Sequence, residues 1–368
     1  MRKSKVVLDL KQAISDSLLD KDLRDGLSAA TRSGNYLWVA GDEQISIQRL
    51  EKKGRGWGNC TSFHLGDYVE MISQDDEADI EGMDFDGRYL WIVGSHSLKR
   101  SNIDKDKKDP EKAVKKLTRV SLDPNRILLV RIPCQPNEEG EYVLSKACPD
   151  PENPAELLTA AKLKHGTTKS QLTKVLKNDE HLKSFLKIPG KDNGFDIEGL
   201  AASGDRIFLG LRGPVLRGWA IILEIQITLN KKNKLVLKKL NERGYRYQKY
   251  FLDLNGMGVR ELATDGNDLL ILAGPTMDLD GSMAIYRWKD AFKQKDQSII
   301  AREQLEEVTN IPYKSNIHGI NKAEGMVLLE DGGLLVLYDS PGRERLSGEH
   351  GVKADLFHVK EEVATQAG

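Results

Sequence analysis

Cysteine is scarce in this 368-residue chain, which holds only Cys60, Cys134 and Cys148. An odd number at spacings that match no metal motif leaves reduced thiols as the expectation. Aromatic residues make up only 6%. Neither charge is in surplus: 55 Lys and Arg face 56 Asp and Glu, a net charge of −1. That balance excludes a general nucleic-acid binder, which carries a basic excess. No apolar run approaches the roughly 18–20 residues of a membrane helix, so no membrane partner is expected. The opening Met1-Arg2-Lys3-Ser4-Lys5, followed by Val6-Val7-Leu8-Asp9-Leu10, is too soon interrupted for a secretory leader. A cytoplasmic protein is the expectation. There is also no Gly-x-Ser-x-Gly elbow, no Gly-Lys-Ser/Thr phosphate loop, no His-Glu-x-x-His and no dinucleotide fingerprint.

What the chain does have is repetition. Asp196-Ile197-Glu198-Gly199-Leu200 recurs as Asp79-Ile80-Glu81-Gly82-Met83 and, less fully, as Ala323-Glu324-Gly325-Met326. After each comes a turn and then an apolar run. Two further segments keep the frame: Gly34 precedes Tyr36-Leu37-Trp38-Val39, and Gly266 precedes Leu269-Leu270-Ile271-Leu272. Strand, glycine turn and apolar strand make a β-hairpin, and further strand-like runs follow most copies. Four strands per unit describe an all-β fold, a β-propeller. Five blades are favoured and six is the rival count, because the step from position 81 to 198 is far longer than the others. The whole of 1–368 reads as one domain, its ring closed by the strand Lys5–Leu10 joining the last blade. A charged, solvated loop is expected at 99–119. A helical insertion is expected at about 154–187, with a short helix at Pro154–Lys164 and an amphipathic one over Thr167–Lys187, capped by Thr167, Thr168 or Ser170. Trp38, Trp91 and Phe208 fall in register and are expected in the core.

Propeller geometry turns the repeats into a site. The start of each innermost strand and the end of the next lie at one mouth. Aligned at the starts are Ser28, Glu81, Glu198, Arg260 and Glu324. At the ends lie Asp42-Glu43, Ser95-His96, Arg212-Gly213-Pro214, Gly274-Pro275 and Asp339-Ser340. Three carboxylates around a narrow channel repel one another unless a cation intervenes. They have three readings: ties between blades, hard-oxygen ligands for calcium or magnesium, or acid–base groups. His96 is unmatched in the other blades and is either a capped loop histidine or a general base. Arg212, beside Gly213 and Pro214, suits a phosphate or carboxylate, or an inter-blade salt bridge. The candidate catalytic residues are therefore His96, Glu81 and Glu198. The candidate ligand contacts are Arg212, Arg260, Glu324, Asp339, Arg343, Asp42 and Glu43.

The Asp-Ile-Glu-Gly units, with Gly94-Ser95-His96-Ser97-Leu98-Lys99-Arg100 and Gly210-Leu211-Arg212-Gly213-Pro214, resemble a bacterial family, domain of unknown function 3616. The resemblance covers nearly the whole chain; it implies a propeller and supplies no established activity. More distantly, the Glu-Gly-Met units are similar to phytase-like propellers to which esterase activity has been attributed. Two functions follow as expectations. One is a hydrolase of a small anionic, phosphorylated or carboxylated, molecule, with calcium or magnesium optional. The other is a binding or scaffolding propeller that meets a protein partner through the insertion at 154–187.

Overall fold

The computed structural model describes residues 2–11, 23–73, 77–103, 109–166, 168–240, 242, 244–277, 279–312 and 320–358. Its strands form antiparallel units of four around a ring. In the first, Leu27–Ser33 pairs with Tyr36–Gly41, then Ser46–Lys53 and Gly56–His64. The second runs Ile80–Phe85, Tyr89–Gly94, Leu129–Pro136 and Tyr142–Leu144. The third is Asp196–Ser203, Arg206–Leu216, Trp219–Leu229 and Gln248–Asp253. The fourth is Gly258–Asp265, Asp268–Gly274, Met283–Trp288 and Leu305–Ile311. The fifth takes Lys322–Leu328, Gly333–Asp339 and Gly351–His358, and its outermost strand is Arg2–Asp9 from the other end of the chain. The innermost strands neighbour one another in sequence, and the fifth meets the first. This is a β-propeller.

Alternating side chains explain why the blades stack. Each blade is apolar on both faces, and a cluster of buried residues fills each gap. Trp38 and Ile47 meet Met83 and Ile92 between the first two blades. Trp91 and Leu129 meet Leu200 and Leu209 in the next gap. Phe208 and Tyr250 then meet Ile271 and Trp288. Leu270 and Ile285 meet Met326 and Val336, and Leu335 and Val352 meet Leu37 and Val39 to close the circle. The three aligned aromatics, Trp38, Trp91 and Phe208, are fully buried here. All three cysteines are free thiols.

The long step between the second and third blades departs from expectation. Residues 154–164 hold no helix. Leu157–Thr159 pairs with Ala147–Pro149, and Ala161–Lys162 adds to Leu129–Pro136. Backbone pairing with an existing sheet overrides a weak local helix preference. The expected helix over 167–187 is reduced to Gln171–Leu176, capped by the Ser170 hydroxyl, plus a single 3-10 turn at Phe185–Lys187. Thr167 lies outside the described residues. Asp179 ends the helix early, because its carboxylate accepts from the amides of His181 and Leu182 at 2.9 and 3.0 Å. Leu172, Leu176 and Leu182 pack into the core between the blades. The 99–119 stretch contains the helix Pro110–Leu117, with Asp109 as its cap and no buried residue. Lys99–Arg100 and Val120–Ser121 pair at its base, and 104–108 lie outside the described residues.

Candidate functional site

One irregularity recurs at the start of every blade. Leu27 pairs with Gly41 and Ala29 with Ala40, so Ser28 has no partner across the ladder. The same one-residue excess falls at Glu81, Glu198, Arg260 and Glu324. A β-bulge inserts an unpaired residue and turns its side chain out of the pleat. Five bulges in one frame therefore aim the ring residues at one end of the channel. Glycine follows three of them, and close approach explains why. A Cβ on Gly82 would lie 2.9 Å from the Glu198 carbonyl oxygen of the neighbouring blade, and one on Gly199 would lie 3.0 Å from the Leu262 backbone.

The bulges open into a cavity of about 380 Å³. Its described lining includes Asp42, Glu43, Glu81, Glu198, Arg212, Arg260, Glu324 and Asp339 among the expected residues. Eleven Asp and Glu side chains line it against seven Lys and Arg. The arginines are already engaged. Arg212 contacts Asp196 and lies 2.7 Å from Glu198. Arg260 lies 3.0 Å from the other oxygen of Glu198 and contacts Glu324, so one network joins the third, fourth and fifth blades. Arg126 holds Asp79 at 2.6 Å and donates to the Ser97 hydroxyl at 2.9 Å. Burial pushes Glu198 up to about 7 against the pull of Arg212 and Arg260. It pushes Asp339 up to about 6, helped by Glu324.

Glu81 and Asp42 differ from the rest. Neither side chain has a hydrogen bond or ion pair among the described residues. Burial raises Glu81 well above the ordinary carboxyl range, and the negative Asp79, Glu198, Asp196 and Asp42 raise it further. Asp42 is raised by burial and then by Glu324, Asp339 and Asp79. Both therefore hold their protons to higher pH than an ordinary carboxyl, and both face the cavity.

Two expected residues stand elsewhere. His96 is buried, takes φ 55° and does not line the cavity. Its amide donates to the Arg126 carbonyl, its Nδ1 lies 3.1 Å from the Gly94 carbonyl, and burial pushes it down to about 4. It is a buried loop histidine outside the cavity lining. Arg343 is exposed and does not line the cavity; its near neighbour Arg345 is the buried one, bound to Asp355. The residues the sequence reading passed over are Asp79, Asp196 and Arg126. The first two were visible as the repeated Asp of Asp-Ile-Glu-Gly. Arg126 sits in the 3-10 turn Pro124–Ile127, in the irregular connection between the second and third strands of the second blade, and carries no repeat signal.

A calcium or magnesium ion does not fit these groups. Among the described residues no three His, Cys, Asp or Glu side chains converge to hold a metal. Asp79, Asp196, Glu198 and Glu324 are instead neutralised by guanidinium groups. No helix among the described residues is long and apolar enough to cross a membrane.

Solved structures similar to the chain include a streptogramin B lyase, at 10% identity, covering 96% of this chain and 97% of that one with a TM-score of 0.36. Another is the PQQ-bound aldose sugar dehydrogenase of Streptomyces coelicolor, at 11% identity, 96% and 98% coverage and a TM-score of 0.37. A third is Myxococcus xanthus glutaminyl cyclase, at 8% identity, 96% and 97% coverage and a TM-score of 0.38. The strand pairings themselves establish the fold. No curated protein matches the sequence. Over residues 26–355 the chain matches, and therefore belongs to, the family described as protein of unknown function (DUF3616).

Proposed function

We propose that the mouth of the propeller binds a small molecule with a basic nitrogen, and that Glu81 and Asp42 are the groups that meet it. One observation carries this: the arginines of the ring are engaged by carboxylates, while these two carboxyls have no partner. The small anion that Arg212 and Arg260 suggest from sequence would have to displace Asp196, Glu198 or Glu324 from its guanidinium. A cation needs no such exchange. It would replace the protons of Glu81 and Asp42 and relieve the repulsion among the carboxylates around them. Titration calorimetry with ethylenediamine in two buffers of different ionisation enthalpy tests the proposal. Binding with proton release is expected, weakened at least tenfold in Glu81→Gln. Binding that is indifferent to Glu81→Gln and Asp42→Asn would refute it.

A second reading is catalytic, and the separation of protonation states favours it. Glu81, with its proton affinity raised, stands among carboxylates held by Arg126, Arg212 and Arg260, an arrangement that suits a general acid. In ester hydrolysis the Glu81 proton would pass to the leaving oxygen. Water would add its hydroxyl to the acyl carbon and return a proton to Glu81. His96, buried with its proton affinity lowered, has no part in that step. Turnover of a panel of carboxyl esters, abolished in Glu81→Gln, supports it; no turnover of any ester by the intact protein rejects it.

A further inference from the structure

The rim of the mouth is unlike its floor. Leu117, Met277, Leu279 and Ile320 all line the cavity, yet they are 42%, 43%, 57% and 39% exposed. They come from three separate places: the end of the helix Pro110–Leu117, the segment between Asp268–Gly274 and Met283–Trp288, and the approach to Lys322–Leu328. Scattered exposed apolar side chains are ordinary; four gathered at the opening of one cavity point to something that covers them.

The rim is also held in place. Arg100 lies 2.7 Å from Asp192 of the third blade's approach and donates to the Leu117 carbonyl, which fixes the end of that helix over the opening. The Leu279 amide donates to the Met277 carbonyl at 2.8 Å, a turn that sets both side chains on the same short segment. Pro275 and Met283 continue the apolar lining inward on that side. Below the rim, the lining turns acidic. Asp79 is 3% exposed and lines the cavity, and its Oδ2 has no hydrogen-bond partner although Oδ1 is held by Arg126.

We propose that the ligand is an amphiphilic organic cation, with its ammonium head on the floor beside Asp42, Asp79 and Glu81 and an apolar chain lying against Leu117, Met277, Leu279 and Ile320. The proposal rests on the reading of the mouth as a site for a basic nitrogen and adds the class of molecule. Charge complementarity selects the head: the eleven acidic side chains of the lining outnumber the seven basic ones. The rim selects the body. A short polar amine would leave those four side chains in water, whereas a chain of several methylenes removes them from it.

The test is a series of linear primary amines from ethylamine to octylamine, kept below micelle-forming concentrations, titrated into the full chain by calorimetry. Octanoate and 1-octanol serve as head-group controls. Affinity is expected to rise about threefold to fourfold per methylene, the gain that burial of one methylene gives. Octylamine should bind at least tenfold tighter than 1-octanol and far tighter than octanoate. Replacing both rim residues, Met277→Ser with Leu279→Ser, should flatten the dependence on chain length. Glu81→Gln should weaken every amine by a similar factor and keep the slope. If amines bind with no dependence on chain length, this inference fails and the basic-nitrogen site stands. Octanoate binding as tightly as octylamine, or no amine binding at all, overturns both.

Discussion

At the residue scale, the informative contrast is between carboxyls that resemble one another in sequence. Glu81, Glu198 and Glu324 occupy equivalent bulges. Glu198 touches two arginines and Glu324 one, whereas Glu81 touches none. The bulge delivers each side chain to the mouth, and the neighbour across the channel decides what it becomes there. This has a consequence for stability. Glu81 and Asp42 titrate above their ordinary values in the fold, so between the two values the native state holds protons that the unfolded chain has released. Their contribution is fully present below the ordinary carboxyl range and is lost as pH rises through the folded values. Glu198 and Asp84, each near 7, act with the same sign. His96, near 4 in the fold, acts oppositely and destabilises as pH falls below its ordinary value. Urea midpoints measured at pH 5 and pH 8 should therefore drop toward pH 8 in the natural protein. In Glu81→Gln combined with Asp42→Asn the drop should be smaller and the pH 8 midpoint higher. A double variant whose midpoints parallel those of the natural protein would show that both carboxyls remain ionised.

At the element scale, the strand Arg2–Asp9 decides whether the ring has an edge. It pairs along its whole length with Gly351–His358, from Arg2 opposite His358 to Asp9 opposite Gly351, and at Leu8 it also meets Trp57 of the first blade. It thus joins the outer edges of the last and first blades, which would otherwise present free backbone groups. Leu8 is completely buried in the cluster between those blades. Leu8→Ala should cost about 2–5 kcal/mol, the range for a large-to-small change in a packed core. Hydrogen exchange at 351–358 should accelerate with it. If the variant unfolds at the natural urea concentration, the strand is an appendage and the seal lies elsewhere. The joining of this strand to the last blade was legible in the sequence, because Lys5–Leu10 is an apolar, strand-like run and the fifth repeat was short of a strand. The short strands at 157–162 were not legible. They form because a sheet edge lies within reach, which is a fact about the third dimension.

At the scale of the whole molecule, the channel is tied below the mouth as well as at it. Asp84 lies three residues beyond Glu81 on the same inner strand, about 10 Å further along the channel. Its carboxylate accepts from the Ala202 amide of the third blade at 2.8 Å and the Thr264 hydroxyl of the fourth at 3.1 Å. It also meets the Thr31 hydroxyl of the first blade at 3.5 Å. One side chain therefore links four blades. Asp84→Ala leaves the buried Ala202 amide without its acceptor and should cost about 1–3 kcal/mol for that group alone. Asp84→Asn, which keeps an acceptor oxygen, should cost less. Equal stability of the two variants and the natural protein in urea would mean that the inter-blade clusters hold the ring unaided.

The sequence by itself determined the propeller and the composition of its mouth. Both are written in a repeat: an apolar run fixes each second strand, a glycine fixes each turn, and identical frames must place identical positions around one axis. Tertiary structure alone decided which of those positions is free. Whether a carboxyl at the mouth is clamped by arginine or left unpaired depends on what stands opposite it. Arg126 comes from an irregular turn, and Arg260 from the bulge where three other blades carry Glu. Equivalent residues around the ring meet unlike neighbours, so Glu81 and Asp42 are left without a partner among the described residues while Arg212, Arg260 and Glu198 close on one another.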